Sequence, residues 1–275
     1  MIDYSFCMVN WNGGETFLRS VRSILSETEG LNAEVIIVDN GSADGSVESL
    51  PLDGRIRTVL NGTNTYFARA TNQSVAAARG RFLVVLNNDV VFYKDSLRYY
   101  LTVMEQHPGS ILCPRLVNAD GSTQKSIRNI LTPQILLNEM FRLSSRPALR
   151  WIRDDFDYEQ AQLVEQPLFS LLFMSRETFY RVGAMDCAYP LFFNDVDWYR
   201  RASKRAIRTR YVPGPAVLHE HGYSTAKKPF RKVWMSTVSM LRYMYRNFTA
   251  SFFLLIPLIV AGGLYRMSRE CRYKA

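Results

Sequence analysis

Three short stretches of this 275-residue chain hold side chains whose types and spacing could do chemistry. In Phe192-Phe193-Asn194-Asp195-Val196-Asp197-Trp198 two carboxylates follow an aromatic run and open a helix expected over Val196–Arg205. A carboxylate at the boundary of a rigid element is fixed yet exposed, which suits it to take a proton from a substrate. The same acids also suit an ordinary first helical turn, where they satisfy free N–H groups and the positive end of the helix dipole. Two further stretches favour the chemical reading. Leu86-Asn87-Asn88-Asp89-Val90 is an acidic turn directly after an apolar run, and His219-Glu220-His221-Gly222-Tyr223-Ser224 brings two imidazoles close together.

The elements that must position these residues alternate through the first half. Tyr4–Val9 is expected as a strand, and Glu15–Thr28 as a helix with Phe17, Leu18, Val21, Ile24 and Leu25 on one stripe. Glu34–Val38 is a short apolar run of the buried parallel-strand kind. Gly41–Ser46 is a turn with capping residues that can start another helix. A third strand follows at Ile56–Leu60, an Ala-rich helix at Ala68–Arg79 stopped by Gly80, a fourth strand at Arg81–Leu86 and a helix at Asp95–Gln106. This order implies a mainly parallel, right-handed α/β sheet whose ligands bind beyond the carboxyl ends of the strands. The region 110–182 is less regular, with Leu168–Met174 a candidate strand and Arg176–Val182 a candidate helix.

The strand-end loops to watch are therefore 10–14, 39–46, 61–67 and 87–92. They hold Asn10 and Asn12, Asp39 and Asn40, Asn64, and Asn87, Asn88 and Asp89 respectively. Each has a turn-forming alternative, but their concentration at one sheet edge favours a site. No Gly-x-Gly-x-x-Gly follows the first strand and no Gly-x-x-x-x-Gly-Lys-Ser/Thr is present, which argues against a dinucleotide oxidoreductase and a P-loop NTPase.

In family order over residues 4–225, these segments resemble a family 2 glycosyltransferase of the GT-A fold, in the bacterial rhamnosyltransferase-like branch. The matching stretches are Val9-Asn10-Trp11-Asn12, Ile37 to Ser46, Ala76 to Asp89, Pro114 to Ser122, Asn194 to Trp198, and Tyr211-Val212-Pro213 to His219. The resemblance implies a nucleotide-diphospho-sugar donor. Asp39 would contact its base or ribose with help from Asn12, and Asn10, Asn40, Asn87 and Asn88 would belong to the same donor site. Asp89 stands at the last position of the family's Asp-x-Asp motif, with Asn87 at its first, and would hold a divalent cation. Mg²⁺ or Mn²⁺ favours oxygen ligands, and Mn²⁺ also accepts imidazole, as His219 would supply. His221 would be supporting or structural. Asp195 matches the general base of an inverting displacement at the anomeric carbon. Asn194, where many relatives carry Glu, would shape the site, and Asp197 would orient the helix start or pair with an Arg.

The chain departs from its relatives in two places. A Gly-rich stretch is replaced by Tyr66-Phe67-Ala68-Arg69-Ala70-Thr71-Asn72, where Arg69 either meets the diphosphate or lies on a helix surface. Gln166 and Phe169 stand where relatives carry Trp and Gly, next to the sugar and acceptor pocket. The branch implies L-rhamnose from dTDP-rhamnose and a polyprenyl-diphosphate-linked acceptor. A UDP-sugar donor, a soluble acceptor, or a catalytically silent membrane-bound subunit are the alternatives.

The formal charge of +9 is carried by the end of the chain. From Lys227 onward ten Lys and Arg residues face Glu270 alone, so residues 1–226 balance to zero. Within that tail Ala250–Tyr265 is an uncharged run of sixteen residues broken by Pro257, short of the ~20 that a membrane-spanning helix wants. Before it, Trp234, Val238, Leu241, Tyr245 and Phe248 recur at helical spacing among basic residues, the pattern of a helix at an anionic membrane surface. Packing of the tail on the body, or a homodimer, is the other reading; nucleic-acid binding suits the long apolar run poorly. The division expected is a catalytic domain at 1–226 and a helical, membrane-associated tail at 227–275. The four cysteines, Cys7, Cys113, Cys187 and Cys271, have neither paired nor metal-finger spacing and are expected as buried free thiols of a reducing compartment. Without a signal-peptide layout at residues 1–9, the body is expected in the cytoplasm, at the inner face of a bacterial plasma membrane.

Overall fold

The computed structural model describes the backbone of residues 2–189, 191–220 and 229–272, and the side chains of those residues except 229, 230 and 267–272. His221, Lys227 and Lys228 lie outside the described residues. The chain begins β1 (Tyr4–Asn10), α1 (Gly14–Glu27), β2 (Ala33–Asp39), β3 (Ile56–Leu60), α2 (Tyr66–Ala77), β4 (Phe82–Asn87), β5 (Val90–Phe92), α3 (Ser96–Gln106) and β6 (Ile111–Val117). It continues through β7 (Ile127–Arg128), α4 (Pro133–Phe141), β8 (Gln162–Val164), β9 (Gln166–Pro167), β10 (Leu171–Ser175), α5 (Arg176–Val182), α6 (Asn194–Lys204) and β11 (Thr209–His219). Two helices close it, α7 (Pro229–Asn247) and α8 (Thr249–Arg272).

The main sheet runs β3-β2-β1-β4-β10-β6-β11-β5, with β8 on β11, and β7 and β9 form a separate pair. Strands β3 to β4 are parallel as expected, but β10 inserts antiparallel between β4 and β6, and β5 returns antiparallel beside β11. Half the sheet is thus mixed. Alternation along each parallel strand feeds two cores. Phe6, Met8, Val35, Ile37, Val84 and Leu86 pack toward α1 and α3, whereas Cys7, Ile36, Leu83 and Val85 pack with Trp198, Tyr199 and Phe179 of α5 and α6.

Several local expectations are corrected. No helix starts at Gly41–Ser46, because side chains satisfy that loop's N–H groups. Asp39 Oδ2 accepts from Gly41 N (3.0 Å) and Ser42 N (2.9 Å), and Asp44 Oδ1 accepts from Ser46 N (3.2 Å). Gly80 does not stop α2, which ends at Ala77. It serves close approach instead, since a Cβ there would lie 2.7 Å from Ser5 N. The strand expected at Leu168–Met174 starts at Leu171, and α6 starts at Asn194 rather than Val196. Cys7 and Cys113 are buried free thiols, with Cys7 pushed up to about 12 by burial, but Cys187 is exposed in the turn before α6.

A third core joins the tail to the body. Tyr243, Met244, Leu255 and Ile259 of α7 and α8 pack with Leu131, Ile135 and Leu136 around α4, with Phe193 just before α6 and with Val196 of α6. Tyr243 Oη donates to the Leu131 carbonyl (2.9 Å), Ser239 Oγ to the Leu191 carbonyl (3.1 Å), and Asp186 pairs with Arg242 and Arg246. The stripe named from the sequence is divided: Trp234, Val238 and Tyr245 face outward (Trp234 59% exposed, Tyr245 53%), whereas Leu241 and Phe248 pack against this core. On α8, Phe253, Leu254, Leu264 and Tyr265 are also exposed. Thr249–Arg266 is long and apolar enough to cross a membrane, with a mean hydropathy of 1.5 and only 17% of it buried.

Candidate active site

The register aligns the strand ends: Asn10 lies beside Asp39, Asp39 beside Leu60, and Val9 beside Asn87. The four loops therefore leave one edge of the sheet, and side-chain hydrogen bonds knit them together. Asp39, 4% exposed, accepts from Asn10 Nδ2 (3.0 Å) and Ser42 Oγ (2.6 Å) as well as from the two loop amides. Asn10 Nδ2 also reaches Ser46 Oγ (3.0 Å), and Asn10 Oδ1 accepts from Asn88 Nδ2 (3.0 Å). Asn12, held at φ 50°, accepts from Ala43 N (2.8 Å). Asn40 ties the second loop to the third, accepting from Asn61 Nδ2 (3.0 Å) and Thr65 Oγ1 (3.0 Å). Gly13 is required here, since a Cβ would come within 2.4 Å of Asn88 Nδ2 and 2.6 Å of Asn10 Oδ1. Asn87 is half-buried, its N–H donating to the Ser170 carbonyl (2.9 Å), and Arg69 is exposed on α2.

Because β5 and the end of β11 pair antiparallel, with Val90 opposite His219, Asp89 and His219 meet. His219 Nε2 lies 3.3 Å from Asp89 Oδ1, with His219 3% exposed. The tautomer follows from Gln124. Its Nε2 donates to the His219 carbonyl (2.7 Å), so its Oε1, 2.9 Å from the ring, must accept from Nδ1–H. In the neutral ring the Nε2 lone pair then faces the carboxylate. Asp89 Oδ1 is itself buried without a hydrogen-bond partner among the described residues. Two acceptors turned toward one another suit a shared cation, and a carboxylate with an imidazole is a donor set that Mn²⁺ or a similar ion takes. Among the described residues no third His, Cys, Asp or Glu joins them.

Asp195 opens the third patch. The chain enters α6 through Phe192 (φ 60°) and Phe193 (φ 62°), two aromatic residues in the left-handed region, each costing about 1–3 kcal/mol. Packing enforces this backbone: the Phe193 ring stacks on Trp151 (centroids 6.3 Å apart) and lies 5.7 Å from Tyr243 of the tail. The strained turn presents Asp195 to a cavity of about 320 Å³ lined also by Arg128, Trp151, Lys232 and Arg266. Burial raises the Asp195 carboxyl above its ordinary value, opposed by the Arg128 charge and by backbone N–H groups. Asn194 is buried at the first position of α6. Asp197 does not face the cavity's chemistry, since its carboxylate pairs with Arg201 (2.8 Å), whose guanidinium also caps carbonyls 182–184.

Sequence reasoning missed Gln124, Arg128 and Trp151, and it read Lys232 and Arg266 only as tail charge. Gln124 and Arg128 are four residues apart on one segment, so even fully extended it spans at most about 14 Å. The residue that orients His219 and the one that acts on Asp195 are thus near neighbours. No spacing signal marks either of them.

The family model described as glycosyl transferase family 2 matches residues 5–167, more than half of the chain. The N-acetylglucosaminyl-diphospho-decaprenol L-rhamnosyltransferase of Mycobacterium tuberculosis is 26% identical over 243 residues, covering 80% of this chain and 77% of that protein. Among solved structures, GalNAc-T7 with UDP, GalNAc and Mn²⁺ superposes with a TM-score of 0.61 at 15% identity, over 86% of this chain and 47% of its own. S. aureus TarS gives 0.55 at 13%, over 91% and 45%. This chain therefore spans less than half of either structure, and both share its GT-A-like fold, a mixed central sheet flanked by helices. The chain belongs to glycosyl transferase family 2 and is a glycosyltransferase.

Proposed function

We propose that the chain transfers a sugar, L-rhamnose from dTDP-rhamnose being the first candidate, to a polyprenyl-diphosphate-linked saccharide in bacterial surface-polysaccharide assembly. The relative named above acts on a diphospho-decaprenol acceptor by its name, and that carries the choice of acceptor class and sugar. The single observation that carries the chemistry is the pair of acceptors, Asp89 Oδ1 and His219 Nε2, at 3.3 Å. These two residues would hold a divalent cation. When bound, the cation supplies charge against the leaving diphosphate. Asp39, with its surrounding amides and Asn10 and Asn12, would receive the base or ribose. Asn40, Asn87 and Asn88 would keep these loops in place, and Arg69 would lie free to approach the phosphates.

Asp195 would act as the base. Its raised affinity for a proton makes it a better acceptor for a hydroxyl hydrogen than an exposed aspartate, and it must come within ~3 Å of the attacking oxygen. Proton removal and attack occur together on the face of the anomeric carbon away from the diphosphate, which gives inversion. Asn194 would shape this turn, Asp197 would lock α6 through Arg201, and His221 would support the metal ligands. Residues 1–226 would form the catalytic unit. Residues 227–275 would dock it, through the outward apolar face of α7 and α8 and its basic flanks, on the cytoplasmic leaflet.

The test is donor binding and slow donor hydrolysis across dTDP-, UDP- and GDP-sugars, with Mn²⁺, with Mg²⁺ and with EDTA. Selection of one donor in the presence of metal is expected. A protein that binds none of them would refute the reading and indicate a silent transferase-like subunit.

A further inference from the structure

Among the described residues three cations line the cavity in front of Asp195, against that single carboxylate. Arg128 comes from β7, while Lys232 and Arg266 come from α7 and α8. Two polar atoms of the lining are buried without a partner among the described residues, Arg128 Nε and Trp151 Nε1, and both are N–H donors. The Arg128 guanidinium is held 5.0 Å over the Trp151 ring, and Lys232 Nζ lies 5.7 Å from the Phe192 ring. A buried donor left without an acceptor is costly, more so for a charged group, so a cavity of this kind is suited to an oxygen-rich anion. At about 320 Å³ it is at the small end of ligand sites.

We propose that this cavity binds the phosphate or diphosphate ester through which the acceptor saccharide hangs from its lipid, held by Arg128, Lys232 and Arg266 beside Asp195. This rests on the reading of Asp195 as the base. An acceptor with a single sugar on its diphosphate carries the anion next to the sugar that is glycosylated, so an anion site beside the base fixes which hydroxyl the base meets. The tail then does more than anchor: it contributes two of the three cations. Its exposed Phe253, Leu254 and Leu264 lie on α8, the helix that bears Arg266, where the lipid chain of the acceptor would leave for the bilayer. A phospholipid headgroup carries the same phosphate-ester chemistry and is the competing source of the ligand.

The experiment uses the full chain in detergent and farnesyl diphosphate as probe, with binding followed by calorimetry or ³¹P NMR. Farnesyl diphosphate is expected to bind, and Arg128→Gln and Arg266→Gln are each expected to weaken it by roughly 10–100-fold, the loss of one charge-assisted hydrogen bond. Lys232→Gln, at a half-buried position, gives a third variant should Arg128→Gln fold poorly. Vesicles of phosphatidylglycerol at equal phosphate concentration are expected not to displace the probe. Displacement would assign the cavity to lipid headgroups and overturn the acceptor assignment. Absence of binding by a protein that does bind its nucleotide-sugar donor, or unchanged affinity in all variants, would overturn the anion site itself. Binding of the probe by a protein that fails every donor would leave the anion site standing and sink the transfer reading instead.

Discussion

Replacing Gln124 by Met tests the metal-site reasoning through a residue that touches neither the carboxylate nor any substrate. Gln124 is 4% exposed and makes two bonds to His219, one to the carbonyl (2.7 Å) and one to Nδ1 (2.9 Å). Met has nearly the same volume and shape, so packing is kept while both bonds are lost. Losing two hydrogen bonds between buried partners costs roughly 2–4 kcal/mol in all. At about 2–4 °C per kcal/mol for a chain of this size, Tm in EDTA should fall by roughly 5–15 °C. The effect on metal is separate. Without Gln124 the ring can carry its proton on Nε2 instead of Nδ1, or rotate, so the Nε2 lone pair is no longer held toward Asp89, and loss of such a partner typically weakens metal binding by about 10–100-fold. The assay is the Mn²⁺ concentration that half-saturates donor binding, measured well below Tm, beside a thermal melt in EDTA. A lowered Tm with an unchanged Mn²⁺ requirement would show that Gln124 only props up the fold and would refute the argument that His219 is poised for a metal.

The pH dependence carries its own sign. Burial raises the Asp195 carboxyl, so the base form populates only as pH climbs through that raised value, and transfer should rise along an acidic limb. Arg128 opposes the rise, so Arg128→Gln should move the limb to higher pH; a limb that stays put or moves down would exclude Asp195 as the titrating group. Gly13→Ala drives a methyl into Asn10 and Asn88, and donor affinity should drop at least several-fold, with Tm reduced; unaltered binding would show that the first and fourth loops do not shape the donor site. On the tail, Phe253→Ser with Leu254→Ser removes side chains that are 66% and 79% exposed, so folding should be spared while affinity for anionic vesicles falls tenfold or more, read by co-sedimentation. Equal sedimentation would remove that face from the membrane contact.

The half of the molecule built from consecutive parallel strands was legible because local pattern and tertiary role coincide there. Ile56–Leu60 and Arg176–Val182 were located to the residue, and the strand-end loops emerge on one edge as expected. The mixed half was not, because its placement depends on distant partners. Strand β10 is buried on both sides by its insertion between β4 and β6, which nothing in Leu171–Ser175 announces, and the register of β11 on β6 shifts between Val212 and Val217. The candidate site divides in the same way. Asp39, Asp89 and Asp195 stand at element boundaries that the sequence marks. Gln124, Arg128, Trp151, Lys232 and Arg266 reach their positions only through packing of segments far apart in the chain, Arg128 and Arg266 of one cavity standing 138 residues apart, and no spacing rule can anticipate that. On α7 the sequence leaves membrane contact and packing on the body as alternatives, and the helix has a separate face available to each: Trp234 and Tyr245 are exposed, whereas Tyr243 and Met244 carry the contact with the body.

The central claim is that Asp195 removes the acceptor proton while separate residues hold the donor. Asp195→Asn keeps the size of the side chain and abolishes its basicity. Transfer to a diphosphate-linked acceptor, followed with radiolabelled donor, should fall by roughly 10²–10⁴-fold while metal-dependent donor affinity stays within a factor of two of the unaltered protein. Transfer at an undiminished rate in that variant would contradict the account.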